Sequence, residues 1–122
     1  MKSQILNRLV LLIYFFYVII RIIERGYIMN ILLVDDDRIK RKAIVTPIRR
    51  NRPETNIRYF ENLRDAEYFI DKNHNYTDLL ILDWCFPETS YERPKAATGK
   101  KMLDYIKEKG YNINTVMCSS DI

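Results

Sequence analysis

The sequence predicts an α/β fold: a doubly wound parallel sheet of strand order 2-1-3-4, with helices on both faces. From Met29 onward, short apolar runs alternate with segments of helical periodicity, which is the signature of successive strand and helix units. Two of these runs, Asn30–Val34 and Leu79–Leu82, are continuously apolar, as expected for central strands that are covered on both faces. The chain of 122 residues is long enough for one such domain.

Two further strands and three helices complete the predicted sheet. Residues 57–60 include Arg58, which an edge strand tolerates, and residues 114–118 supply the fourth strand. Apolar residues recur at helical spacing in three segments: Ile39, Ala43, Ile44 and Ile48; Leu63, Ala66, Phe69 and Ile70; and Met102, Leu103 and Ile106. We expect Pro47 to kink or end the first helix near Thr46, and Gly110 to end the third.

The charge of the chain gives no indication of nucleic-acid binding. Of the net charge of +4, residues 1–28 carry four basic side chains and one acidic, and the rest carries 16 basic and 15 acidic. The basic residues of the first helix, Arg38, Lys40, Arg41 and Lys42, follow three aspartates and are expected to form a solvated helix face. Cys85 and Cys118 have neither metal-site spacing nor a disulfide framework, which favours reduced thiols.

Residues 1–28 form a hydrophobic N-terminal extension, separate from a predicted domain at residues 29–122. Its uninterrupted apolar stretch, residues 9–20, is shorter than a membrane span, and no signal-peptide cleavage site follows it. Two interpretations stay open: translation that starts at Met29, or a short helix that associates with a membrane through residues 9–23.

Acidic residues follow both central strands. Asp35, Asp36 and Asp37 come directly after the first strand, and Asp83 directly after the third. Adjacent parallel strands bring these ends together, and carboxylates at such close quarters repel one another unless a cation neutralises them. The grouping predicts a site for a hard cation, and Mg²⁺ is the expected ion. The alternative is that Asp37 caps the first helix and the other two are solvated loop residues.

Three segments give the sequence a specific resemblance: Ile31-Leu32-Leu33-Val34-Asp35-Asp36-Asp37, Leu79-Leu80-Ile81-Leu82-Asp83-Trp84-Cys85-Phe86-Pro87 and Thr115-Val116-Met117-Cys118-Ser119-Ser120. They resemble the signature segments of response-regulator receiver domains, which have a flavodoxin-like fold. The resemblance implies that Asp83 is phosphorylated and that Ser119 binds the phosphoryl group. It also implies that Asp35, Asp36, Asp83 and the backbone carbonyl of Cys85 bind Mg²⁺.

The resemblance further implies a role in cytoplasmic two-component signalling. The phosphoryl donor would be a phosphohistidine on a sensor histidine kinase or a phosphotransfer protein. The chain would not be an enzyme beyond catalysing its own phosphorylation and dephosphorylation.

The sequence departs from the family at two places. It ends at Ile122, before the fifth strand with its phosphate-binding lysine and before the last helix, so an incomplete receiver domain is expected. The fourth strand would then be an exposed edge, which predicts marginal stability and self-association through that strand. The connection at residues 88–98 is longer than the family's turn and is expected to be an exposed, flexible insertion, either a gate or a tolerated loop.

Two other functions compete with phosphate acceptance. A truncated receiver could bind a partner protein independently of phosphorylation. A metal-dependent phosphatase could use an aspartate after a strand as its nucleophile, but it would need a general acid. The only histidine, His74, lies in a polar loop before the third strand and is expected at the opposite end of the sheet.

Overall fold

The computed structural model describes residues 28–118, together with Ile13, Phe16 and Tyr17. Most of the N-terminal extension, including nearly all of the apolar stretch at residues 9–23, therefore lies outside the described residues. Ser119 also lies outside them. Among the described residues, no helix combines the length and apolar character that crossing a membrane requires.

Four parallel strands form one sheet in the order β2-β1-β3-β4, which confirms the predicted fold class. The strands are β1 (Asn30–Val34), β2 (Asn56–Phe60), β3 (Leu79–Leu82) and β4 (Asn114–Met117). The helices are α1 (Arg38–Asn51), α2 (Leu63–Asn73) and α3 (Thr98–Lys109), with a short 3-10 helix at His74–Tyr76. In the described chain, β2 and β4 are the two edges of the sheet.

The two faces of the sheet bury separate apolar layers because side chains alternate along each strand. Ile31 and Leu33 of β1 face Ile48 of α1, whereas Leu32 and Val34 face α2 and α3. Every residue of β3 is buried, in agreement with its continuously apolar sequence. The helices therefore cover both faces, and the carboxyl ends of β1 and β3 emerge side by side between them.

The expected end of α1 near Thr46 was wrong, because the helix runs on through Pro47 to Asn51. A proline inside a helix removes one backbone donor. Here nearby side chains bond to helix carbonyls, since the Thr46 hydroxyl donates to the Lys42 carbonyl and the Asn51 amide to the Pro47 carbonyl. Burial of Ile48 holds the second half of α1 against the sheet.

The apolar residues predicted for α1 are not all in the core. Ile39 is 83% exposed, and Ala43 is also exposed. The side of α1 that contacts the sheet consists instead of Ile44, partly buried Val45 and Ile48. This packing sets the rotation of the helix and therefore which polar residues of its first turn point towards the strand ends.

Candidate functional site

The acidic residues begin the loops that leave the two central strands. Val34 and Leu82 are register partners, and the Asp83 amide donates to the Val34 carbonyl at 3.0 Å. The parallel sheet thus brings the two loops together. One oxygen from each of Asp35, Asp36 and Asp83 lies within 4.8 Å of the other two.

Asp35 is the most deeply buried of these carboxylates, with 1% of its surface exposed. Burial raises its pKa to about 6, although the Asp37 amide, which donates to Oδ1 at 2.9 Å, acts in the opposite direction. Its other oxygen, Oδ2, is fully buried and accepts no hydrogen bond of acceptable geometry from the described residues. Burial also raises the pKa of Asp36.

Asp83 is 8% exposed and is held through one of its oxygens. The Trp84 amide and the Lys40 ammonium each donate to Oδ1 at 2.8 Å. The hydrogen bonds described at this carboxylate all converge on Oδ1, and none of them involves Oδ2.

Lys40 is the site residue that the sequence did not reveal. Its ammonium lies 2.8 Å from Asp83 Oδ1 and 3.1 Å from Asp35 Oδ2. Burial tends to lower the pKa of Lys40, but hydrogen bonding to Asp83 and the charge of Asp35 outweigh this effect and raise it. The expected solvated face is therefore wrong for this lysine, whose side chain is only 21% exposed.

Arg41, the next residue of α1, is also drawn away from solvent, with 11% of its side chain exposed. Its guanidinium donates to the Asp35 carbonyl at 3.0 Å and to Glu61 at 2.8 Å, and it lies 4.4 Å from the centre of the Tyr59 ring. Arg41 thus fixes the backbone of the loop that carries the acidic residues. Asp37 caps α1 by accepting from the amides of Ile39 and Lys40, as the cap interpretation expected for this residue.

Gly99 allows α3 to begin directly against the loop that follows β3. Its amide donates to the Trp84 carbonyl at 3.0 Å. A Cβ at this position would collide with the Asp83 carbonyl oxygen and would come within 3.1 Å of the Trp84 Cα. The backbone of Asp83 therefore occupies space that only glycine leaves free.

The long connection after Pro87 is attached to the body of the domain at several points. The Pro87 and Glu88 carbonyls accept from the first two amides of α2, those of Leu63 and Arg64. Buried Phe86 pairs with Lys95 in an isolated antiparallel bridge. The exposed tip predicted for the insertion is present, with Tyr91 at 97% exposure, but its base is anchored by hydrogen bonds.

Among the described residues, Cys85 and His74 make no hydrogen bond or ion pair with the three carboxylates. Cys85 lies two residues beyond Asp83 in the same loop, and its carbonyl stays a predicted ligand. His74 is stacked on Tyr111 at a ring distance of 4.0 Å, and it is absent from the acidic cluster. The backbone amide of Cys118 continues the pairing of β4 by donating to the Leu82 carbonyl. Burial raises the pKa of the Cys118 thiol.

The donor set fits a hard divalent cation. Three carboxylates converge, and the deepest carries a buried oxygen that is ion-paired with Lys40 at 3.1 Å but accepts no well-formed hydrogen bond from the described residues. Carboxylate oxygens are the protein ligands that Mg²⁺ prefers. Asp35, Asp36 and Asp83 are therefore the residues that would hold such an ion.

The fold is similar to solved receiver domains. One is the signal receiver domain of a protein described as a Luxo repressor from Vibrio parahaemolyticus, with a TM-score of 0.57 and 22% identity, over 76% of this chain and 62% of that one. The response regulator MaeR gives TM-scores of 0.62 as a point mutant bound to sulfate and 0.61 bound to beryllium trifluoride. Identities with MaeR are 17% and 18%; the matches cover 79% and 78% of this chain and 70% of each MaeR chain.

These similarities show that the chain has the flavodoxin-like fold of response-regulator receiver domains. The match spans 62% of the length of the Vibrio domain. No model of a protein family matches the sequence, and neither does any curated protein.

Proposed function

We propose that this chain is the phosphoacceptor receiver of a two-component phosphorelay. Asp83 would accept a phosphoryl group from a phosphohistidine on a sensor histidine kinase or phosphotransfer protein, in the cytoplasm. Mg²⁺ would be held by Asp35, Asp36, Asp83 and the Cys85 carbonyl. The observation that carries the proposal is the convergence of three carboxylates at the adjoining ends of β1 and β3.

The transfer requires one nucleophilic step by Asp83. Its Oδ2 attacks phosphorus while Oδ1 stays bound to the Trp84 amide. A P–O bond forms, the P–N bond of the phosphohistidine breaks, and the electron pair of that bond stays on the departing imidazole. A bound Mg²⁺ supplies the positive charge that lets a carboxylate approach an anionic phosphoryl group.

The remaining residues position the acceptor and do not take part in bond making. Gly99 and Trp84 hold the loop that carries Asp83, and Arg41 holds the loop that carries Asp35. Ser119 would contact the phosphoryl group through its hydroxyl and so couple phosphorylation to a change of surface. The chain would catalyse no reaction other than its own phosphorylation and dephosphorylation.

Incorporation of phosphate from radiolabelled acetyl phosphate tests this proposal. In the presence of Mg²⁺ the wild-type chain should be labelled, and Asp83→Asn should reduce labelling to roughly a hundredth or less because the nucleophilic oxygen is lost. Asp104→Asn, which removes an exposed carboxylate on α3, is the matched control and should be labelled like wild type. Removal of Mg²⁺ with EDTA should also prevent labelling.

A protein-binding module that works without phosphorylation is the second candidate. The contact between Lys40 and Asp83 favours it, since the acceptor carboxylate is already paired with a cation of the chain itself. A folded wild-type chain that takes up no label at saturating Mg²⁺ would support this candidate and overturn the first. Labelling that persists in Asp83→Asn would likewise contradict the assignment of the acceptor.

A further inference from the structure

The ammonium of Lys40 lies among the carboxylates to which the proposed function assigns the divalent ion. It contacts Asp35 Oδ2 and Asp83 Oδ1, one oxygen from each of the two loops. Asp35 Oδ2 is also the buried oxygen that accepts no well-formed hydrogen bond. The lysine thus stands at the part of the site where a cation is most needed.

The position of Lys40 follows from the way α1 begins. The Asp37 carboxylate accepts from the Lys40 amide at 3.2 Å and fixes the backbone of the first turn. Packing of Ile44 and Ile48 on the sheet then sets the rotation of the helix. With both constraints in place, the lysine side chain extends from the start of α1 to the end of β3.

A divalent ion bound to Asp35 and Asp83 would lie close to the Lys40 ammonium, because both cations would use carboxylates of the same two loops. The two positive charges would repel each other in a poorly solvated site. Metal binding is therefore expected to weaken the contacts of Lys40 with Asp35 and Asp83. Because the lysine already neutralises part of the charge, the net gain from binding the metal is reduced.

We propose that Lys40 is a built-in cation that competes with Mg²⁺ for Asp35 and Asp83 and so sets the Mg²⁺ concentration at which the site is loaded. The proposal rests on the proposed function for the identity of the ion. In the absence of metal, Lys40 holds the two acidic loops together and pairs with the acceptor. When metal binds, the lysine moves off these oxygens, and Asp83 is freed from its internal partner.

Mg²⁺ titration of the full 122-residue chain tests the competition. Trp84 is the only tryptophan, and its amide binds the Asp83 carboxylate, so its fluorescence reports on the site. Lys40→Met should lower the dissociation constant for Mg²⁺ by about tenfold or more, since a competing positive charge is removed from Asp35 and Asp83. Calorimetric titration should give the same change without relying on the fluorophore.

Two control variants separate this effect from a general change of charge or fold. Lys42→Met removes an equal charge from an exposed position on the same helix and should leave the dissociation constant as in wild type. Asp35→Asn should abolish the saturable response, because it removes a ligand. Far-UV circular dichroism of each variant identifies any that fails to fold, and Lys40→Arg then provides a second substitution, which keeps the charge and should retain weak Mg²⁺ binding.

The outcomes distinguish the two proposals. Equal or weaker Mg²⁺ binding by Lys40→Met overturns the competition, and so does the absence of binding by both proteins. Phosphate acceptance is judged separately by the labelling of Asp83. A wild-type chain that is labelled but has the same Mg²⁺ affinity as Lys40→Met would thus disprove only the role given to Lys40.

Discussion

At the scale of a single residue, Asp35 shows how the acidic site lowers the stability of the folded chain. Its carboxylate is almost wholly removed from water, and its pKa rises to about 6 because burial disfavours the charged form. The neighbouring Asp83 charge acts in the same direction, whereas Lys40 partly compensates. The site thus keeps a charge that destabilises the fold near neutral pH.

This cost predicts a pH dependence of stability in metal-free buffer. A carboxyl group whose pKa rises from 3.8 in the unfolded chain to about 6 in the folded chain binds more protons when folded. Its contribution therefore favours folding at acidic pH and becomes unfavourable as the pH rises from about 4 to about 6. Between pH 7 and pH 5, the wild type should gain roughly 1 kcal/mol relative to Asp35→Asn.

Urea unfolding of both proteins at the two pH values measures this difference. Comparing the two proteins cancels titration of the carboxylates that lie away from the site, which both contain. A difference that stays constant between pH 7 and pH 5, or that changes in favour of Asp35→Asn, would show that burial does not raise the pKa of this group.

At the scale of the elements, the close approach of α3 constrains the backbone of the loop after β3. Gly99 lies against the Asp83 carbonyl, and its amide binds the Trp84 carbonyl. Gly110, at the other end of α3, has a different role: it adopts a positive φ of 73°, and a Cβ there would meet no atom within 4 Å. One glycine supplies space and the other supplies conformational freedom.

This pair predicts two distinct mutational effects. Gly99→Ala should destabilise the fold by about 3 kcal/mol, because the new methyl group must displace the backbone of Asp83. Gly110→Ala should cost about 1 kcal/mol, the usual penalty for a left-handed residue other than glycine. Thermal and urea unfolding give both values.

Phosphate labelling adds a readout that only Gly99 should affect. Gly99→Ala should lower labelling of Asp83 even at temperatures where the variant is folded, whereas Gly110→Ala should leave it unchanged. Equal labelling in the two variants would contradict the view that the backbone at Gly99 positions the acceptor.

At the scale of the whole molecule, the described sheet has edges of different character. The edge strand β2 includes Arg58, and all five of its residues are exposed or half-buried. In contrast, β4 carries no charged side chain and buries Val116. Uncharged edge strands favour pairing with a further strand.

Self-association through β4 is therefore expected for the 122-residue chain. Sedimentation velocity should show species larger than a monomer that increase with concentration. Thr115→Lys, which adds a charge to the strand, should weaken the association several-fold, since a charged edge disfavours pairing. A wild-type chain that stays monomeric at all concentrations would disprove the expectation.

The sequence was sufficient to predict the sheet because its central strands carry an unambiguous pattern. Continuous apolar runs at β1 and β3 indicate strands buried on both faces, and the acidic residues directly after them indicate where the loops meet. The position of Lys40 could not be predicted in the same way. It depends on the rotation of α1, which the packing of Ile44, Val45 and Ile48 determines, whereas Ile39 had suggested a different buried side.

Most of the other features that the sequence did not reveal depend on interactions of the backbone. The anchoring of the long connection uses carbonyl groups of Pro87 and Glu88, which any residue could supply. The continuation of α1 beyond Pro47 accompanies the burial of Ile48 against the sheet. Backbone interactions depend little on residue type, so the structure is needed to find them.

The first-turn amides of the helices have a consequence for how the site can recognise anions. Amides at the starts of α1, α2 and α3 are already bound within the chain: Ile39 and Lys40 to Asp37, Leu63 and Arg64 to the Pro87 and Glu88 carbonyls, and Gly99 to Trp84. Any anion that approached these helix starts would therefore compete with hydrogen bonds that the chain already makes. Attraction by side-chain charges would be screened by dissolved salt.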